Sequence, residues 1–210
     1  MANLSSLESP SRMGFVLSFP IANTLVGAHS APSAGQAGMN SGSLGSSPST
    51  SPSTVQIHSQ TSIQSGINTV VLDRLQDAGN VGSIIRSAAA FGFKQIVALK
   101  GTAALWSPKV LRAGMGAHFA LHLVEGASAA DLNHLNVPLL ATSSHQGDFL
   151  HQAKLPNPAA WLMGHEGQGI SAELAAMASM QVRITQPGGE ESLNVAAAAA
   201  ICLHASAAYR

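Results

Sequence analysis

Charge is scarce in this chain, and so are cysteine and aromatic rings. Only 10% of the 210 residues are Asp, Glu, Lys or Arg, and ten bases balance ten acids. A formal charge of zero argues against a protein that holds nucleic acid by bulk positive charge alone. One cysteine, Cys202, excludes an intramolecular disulfide and permits a reducing compartment, so a cytoplasmic location is expected. Cys202 lies in an Ala-rich apolar run and reads as a small core residue rather than a nucleophile. No run reaches the roughly 18–20 apolar residues of a membrane span, so no membrane partner is expected. Met13 to Ala28 imitates a secretory apolar core, but Pro20 and Asn23 interrupt it and Arg12 is its only basic flank. A transit peptide fits the Ser-rich, acid-poor start no better, again for want of arginine. The nine histidines show no zinc-type pairing. His118 and His122 are four apart in a segment that reads as strand, with no Cys or carboxylate to complete a set, so no metal is expected.

What is present is unevenly spread. Residues 1–66 hold only Glu8 and Arg12 as charges, and from Ser30 onward Ser, Gly, Pro, Thr and Ala dominate them. The run from Ser41 to Thr54 cannot bury enough apolar surface to offset chain entropy, so residues 1–66 read as a flexible low-complexity segment. Residues 67–210 are globular in character and form the expected domain. Between residues 74 and 112 the bases Arg74, Arg86, Lys94, Lys100, Lys109 and Arg112 are opposed only by Asp77, and after that acids outnumber bases. A basic lobe on a neutral protein suits local phosphate contact, and an ordinary solvated surface would look the same from charge alone.

Hydrophobic patterning predicts strands at 68–72, 95–99, 119–124, 138–142, 159–163 and 181–184. Helices are expected between them: one capped by Asn80, then 107–113, 127–135, 171–178 and about 192–208. Val81, Ile84, Ile85 and Ala88 form one apolar stripe on the first helix. Such alternation means an α/β fold with a mostly parallel sheet. In these folds ligands gather beyond the carboxyl ends of the strands.

Three motifs begin close to predicted strand ends. In Asn80-Val-Gly82-Ser-Ile-Ile-Arg86, glycine and arginine are one turn apart, so a ligand could approach the helix beside a fixed guanidinium. The competing reading is an exposed helix arginine after a capped turn. Gly164-His-Glu166-Gly-Gln-Gly169 places bare amides after an apolar strand, and its glycine order is not the dinucleotide fingerprint. A plain loop competes here, although Glu166 is odd in a merely flexible one. In Ser192-Leu193-Asn194, Ser192 can cap the last helix. Asn194 offers a donor and an acceptor near that helix's positive end, a placement that capping explains less well.

In this order the three motifs resemble the SpoU (TrmH-like) family of RNA 2′-O-ribose methyltransferases, over roughly residues 68–208. Asn80, Gly82 and Arg86 fit its first motif; Gly164, Glu166, Gly167 and Gly169 fit the second; Ile184, Ser192, Leu193, Asn194 and Val195 fit the third. The resemblance implies an α/β fold with a C-terminal deep trefoil knot, S-adenosylmethionine as cofactor, and a homodimer with active sites at its interface. It implies that Thr142, Gly164, Gly169, Ile184 and Leu193 bind the cofactor. Asn80 and Arg86 would face the RNA ribose, with Glu166, Ser192 and Asn194 shaping the catalytic pocket. Arginine's pKa above ~12 makes Arg86 a polarising or phosphate-gripping group rather than a base.

Two departures from the family pattern stand out. Ile184-Thr185-Gln186 lacks the proline often found after the isoleucine, and residues 1–66 do not resemble a folded RNA-binding domain. RNA selection then rests on the basic lobe, the dimer surface or a partner. The expected substrate is a ribose hydroxyl of ribosomal RNA. A transfer-RNA methyltransferase and a knotted dimer that binds RNA with little catalysis remain as alternatives.

Overall fold

The computed structural model describes residues 62–143, 146–188 and 193–208. The low-complexity segment before residue 62 and the expected cap Ser192 lie outside the described residues.

A seven-stranded sheet organises the domain. Its strands are β1 (Thr69–Leu72), β2 (Gln95–Leu99), β3 (His122–Ala127), β4 (Leu139–Thr142), β5 (Asp148–Phe149), β6 (Ala160–Met163) and β7 (Met180–Arg183). They lie in the order β3-β2-β1-β6-β4-β7-β5, and every pairing is parallel. Strands β1, β2 and β6 are buried along their whole length. This is the state of strands covered on both faces, and it explains why they read as continuous apolar runs rather than alternations.

Alternate residues serve opposite layers. Val70, Leu72, Ile96, Leu140, Trp161 and Val182 join a core with α1 (Ala78–Ala90) and α4 (Val195–Ala208). Val71, Val97, Leu99, Ala141 and Leu162 join a second core with Leu132 and Leu135 of a 3-10 helix and Leu174 of α3 (Ala172–Met177). The indole N–H of Trp161 donates to Ser206 Oγ at 2.9 Å, tying α4 to the central strand. Cys202 is fully buried, and burial pushes its thiol up to about 12, as a core residue requires.

The structure corrects several boundaries. Asp77, not Asn80, caps α1: its Oδ1 accepts the Asn80 N–H at 2.7 Å, because the helix begins one turn earlier than its apolar stripe. The strand expected from Phe119 starts at His122 instead. Helix α2 (Pro108–Gly114) ends with Met115 at φ 50° and Gly116 at φ 85°, and Ala117–Ala120 then form a 3-10 helix. That turn drives His118 inward to bond Leu105 O at 2.9 Å, a contact that strand periodicity could not anticipate. The helix expected over 127–135 is a 3-10 helix, Ala130–Leu135, preceded by a turn in which Asp131 Oδ2 accepts from Ser128 N and Oγ. Packing also extends back to Ser62: Gln64 and Gln95 exchange two hydrogen bonds, and Gly66 N donates to Leu135 O at 2.8 Å.

Gly82 has a structural role that its sequence reading missed. It is buried in the α1–α2 contact, where a Cβ would stand 2.4 Å from Ala113 Cβ and 2.7 Å from Val110 O. Gly82→Ala should lower the melting temperature. The overpacking cost of roughly 1–3 kcal/mol falls on backbone that cannot yield, and it exceeds the helix-propensity gain of at most about 1 kcal/mol. Thermal unfolding checks it, and a rise in melting temperature would contradict the close packing.

Candidate active site

Strands β1, β4, β6 and β7 end on the same side of the sheet, where a parallel α/β fold gathers its ligands. Beyond them the loops surround a cavity of about 390 Å³, within the size range of small-molecule sites. Thr142, Gly164, Gly169, Ile184 and Leu193 all line it, as does Glu166. Asn80, Arg86 and Asn194 do not. Sequence reasoning missed Ser143, His165, Gln168, Ile170, Gln186, Val195 and Ala198, which complete the wall. Most of these neighbour an expected residue, and Val195 and Ala198 share one face of α4 at i, i+3, so the signal was adjacency.

The loop after β6 closes on itself. His165 N donates to Gly169 O at 3.0 Å and Gly169 N returns to His165 O at 2.8 Å, with Gly169 at φ 68°. A Cβ on Gly164 would lie 2.2 Å from Gly169 C and Ile170 N, so this glycine makes room for the loop's own return arm. The sequence had suggested a bare face for a ligand; the intramolecular contact comes first.

An ion pair clamps this loop from β1. Asp73 is 3% exposed; its Oδ1 and Oδ2 accept from Arg74 Nε at 2.9 Å and a terminal Arg74 nitrogen at 3.0 Å. Asp73 Oδ2 also accepts from Ser171 N at 2.8 Å. Arg74, at φ 56°, donates in turn to Gln168 Oε1 at 3.1 Å and Gly169 O at 3.4 Å. The hydrogen bond and charge of Asp73 raise the Arg74 pKa above its ordinary value. Asp73 was not singled out from sequence, and Arg74 was read only as part of the basic lobe.

The three motifs meet in one polar chain. Glu166 Oε1 accepts from Asp77 N at 3.2 Å and from Asn80 Nδ2 at 3.3 Å, and Oε2 accepts from Gln76 N at 3.5 Å. Asn194 Nδ2 donates to Asn80 Oδ1 at 3.0 Å. Desolvation pushes the Glu166 carboxyl up, but the backbone and Asn80 donors outweigh it and hold the pKa below the usual glutamate value. Glu166 is therefore a committed carboxylate at neutral pH. Asn194 Oδ1 accepts from Ala196 N at 2.9 Å and Ala197 N at 3.1 Å, so capping of α4 does explain Asn194, contrary to the sequence reading. Arg86 is exposed on α1, six residues and so about 9 Å of helix rise beyond Asn80.

The lining has a ligand-directed character. Gln186 Oε1 is buried and accepts no hydrogen bond among the described residues, an unusual state for a buried polar atom. Ile170, Ile184, Leu193 and Val195 supply apolar walls beside it. A ligand with a flat apolar portion and free N–H donors fits this combination.

The class defined by this geometry is a parallel α/β protein with a closed glycine loop facing a capped C-terminal helix. Comparison with known proteins makes it specific. The model of the SpoU rRNA methylase family matches residues 68–204, and the chain belongs to that family. It is 36% identical over 139 residues to an uncharacterized tRNA/rRNA methyltransferase of Synechocystis, covering 64% of this chain and 51% of that protein. It is 31% identical to the 23S rRNA (guanosine-2′-O-)-methyltransferase RlmB of Bordetella pertussis, covering 67% of this chain and 59% of that one. The chain thus spans little more than half the length of these relatives. Among solved structures, the SpoU methyltransferase AviRb of Streptomyces viridochromogenes in complex with AdoMet superimposes with a TM-score of 0.64. The two share 27% identity over 70% of this chain and 61% of AviRb.

Gly164→Val tests the loop. It should weaken ligand binding in the cavity strongly, because the new side chain meets backbone rather than a mobile side-chain tip. Calorimetric titration with S-adenosylmethionine measures this, and an unchanged affinity would show that loop closure does not shape the cavity.

Proposed function

We propose that this protein is an S-adenosylmethionine-dependent methyltransferase that modifies a ribose 2′-hydroxyl of RNA, ribosomal RNA in preference to transfer RNA. The observation that carries the reading is the convergence of residues 80, 166 and 194 into one hydrogen-bonded chain beside one cavity. The family and the ribose-directed relatives support the same reaction.

Thr142, Gly164, Gly169, Ile184 and Leu193 would hold the cofactor, with Gln186 Oε1 free to accept from one of its amino groups. When bound, the cofactor supplies a methyl group on an electrophilic sulfonium. The chain's own residues contribute position, which accounts for much of the rate in such transfers. Glu166 fixes Asn80 and the start of α1, while Asn194 fixes Asn80 to α4. Glu166 spends its carboxylate on these N–H donors, so its role is to hold the pocket rather than to take a proton. Arg86 polarises the ribose hydroxyl or grips the adjacent phosphate through paired donors.

Three further features belong to this reading. A homodimer is supported by the place of Arg86, outside the cavity of its own chain. It is supported too by an apolar hollow of Leu150, Ile184, Ile201 and Ala205 along α4, where Ile201 is 41% exposed. A C-terminal trefoil knot is supported by the likeness to SpoU structures and by the insertion of β6 between β1 and β4, with β7 beside β4. A cytoplasmic location is supported by the lone buried thiol.

The decisive experiment pairs a variant with a substrate. Arg86→Ala should cut methyl transfer by about 10²–10³-fold while cofactor affinity stays within a few-fold. An RNA with deoxyribose at the mapped nucleotide should accept no label. Undiminished labelling of that substrate would overturn ribose methylation, and equal loss of cofactor affinity in Arg86→Ala would overturn the division of roles.

The low-complexity segment is proposed to be separable from the catalytic domain. A chain starting at Ser62, which keeps the contacts of Gln64 and Gly66, should fold, dimerise and bind cofactor like the full chain. Sedimentation and thermal unfolding measure this, and aggregation of the shortened chain would place the boundary wrongly.

A further inference from the structure

We propose that the surface formed by Trp106, Met115 and Phe119 with Lys109 and Arg112 docks single-stranded RNA flanking the modified nucleotide, with a base stacked on Phe119. This rests on the reading that the substrate is RNA.

The domain buries its apolar side chains thoroughly, and among the described residues few large ones are exposed. Three of these lie within a short stretch: Phe119 at 64%, Met115 at 71% and Trp106 at 39% exposure. The rings of Trp106 and Phe119 are 6.4 Å apart at 56°, so they form one aromatic step rather than two isolated residues. Behind them His118 is fully packed, bonded to Leu105 O and 5.4 Å from the Trp106 ring. The left-handed conformations of Met115 and Gly116 hold the 3-10 turn that presents Phe119. The backbone beneath the platform is thus held by buried contacts.

Its surroundings carry phosphate-binding charge. Lys109 and Arg112 are exposed and lie at i, i+3 on α2, hence on one side of that helix. Glu125 is the facing acid, and one of its oxygens already accepts from Leu105 N at 2.6 Å. Helix α2 sits against α1 at Gly82, and Arg86 follows Gly82 by one turn on the same side of α1. Helix α1 also contacts the 3-10 turn that carries Phe119. The aromatic step therefore sits on elements packed against the helix that carries Arg86.

Charge decides between occupants. Trp, Phe, Met and Arg are common in protein–protein interfaces but lysine is depleted there, and two cations beside exposed rings match a strand that alternates π-faces with phosphates. Unstacked bases are required, since a duplex hides the faces these rings would meet.

The test uses the full chain and a labelled single-stranded oligoribonucleotide, with binding followed by anisotropy across a salt series. Phe119→Ala should weaken binding about five- to hundred-fold, and Phe119→Trp should restore it. Lys109→Gln and Arg112→Gln should each flatten the salt slope by about 0.7. S-adenosylmethionine affinity and melting temperature should be unchanged in all four, because every altered residue is exposed and outside the cavity. Wild-type RNA affinity in Phe119→Ala would overturn the proposal, as would a loss of self-association in sedimentation, which would make the patch an interface between copies. Failure of the unaltered chain to bind S-adenosylmethionine would sink the methyltransferase reading instead, leaving the stacking result to stand on its own.

Discussion

Asp73 stands at the carboxyl end of β1 with its carboxylate nearly sealed from water, and three N–H groups converge on it: two from Arg74 and one from Ser171. A buried charge is tolerable only when its hydrogen bonds are filled, and here filling them sets the geometry of everything beyond the sheet. Ser171 caps α3 by accepting from Leu174 N, so the same contact fixes where that helix starts. Arg74 reaches across to Gln168 and Gly169, so it also fixes where the glycine loop ends. The cavity wall is built on that pair.

The second organising element is a relay of amides. Asn80 uses its donor toward Glu166 and its acceptor toward Asn194, which an amide can do at once from two separate atoms. An aspartate in its place would set two carboxylates against each other. The same logic suits Asn194, whose acceptor caps α4 while its donor meets Asn80. Segments more than a hundred residues apart in sequence are joined with no salt bridge between them.

Much of this was legible in the sequence because parallel strands buried on both faces leave an apolar run that is hard to miss. Val70, Val97 and Leu162 marked their strands at once. The positions that the family resemblance implied for a cofactor, Thr142, Gly164, Gly169, Ile184 and Leu193, are gathered around one cavity. What stayed hidden depended on contacts distant in sequence. Nothing local distinguishes Gly82 as a helix-packing residue from Gly82 as a ligand approach until α2 is seen against it. Nothing local marks Asp73 until Ser171, almost a hundred residues on, is seen bonded to it. Strand β5 is only two residues long, too short to show any period, and exists because β7 offers it an edge.

One consequence follows from the way α4 closes the cavity. Leu193, Val195 and Ala198 form part of its wall, and they face loops that follow β4 and β6. A chain folded only through β7 has a sheet, a glycine loop and the Asp73 clamp, yet its cavity lacks a side. The wall is therefore complete only once the last helix has seated.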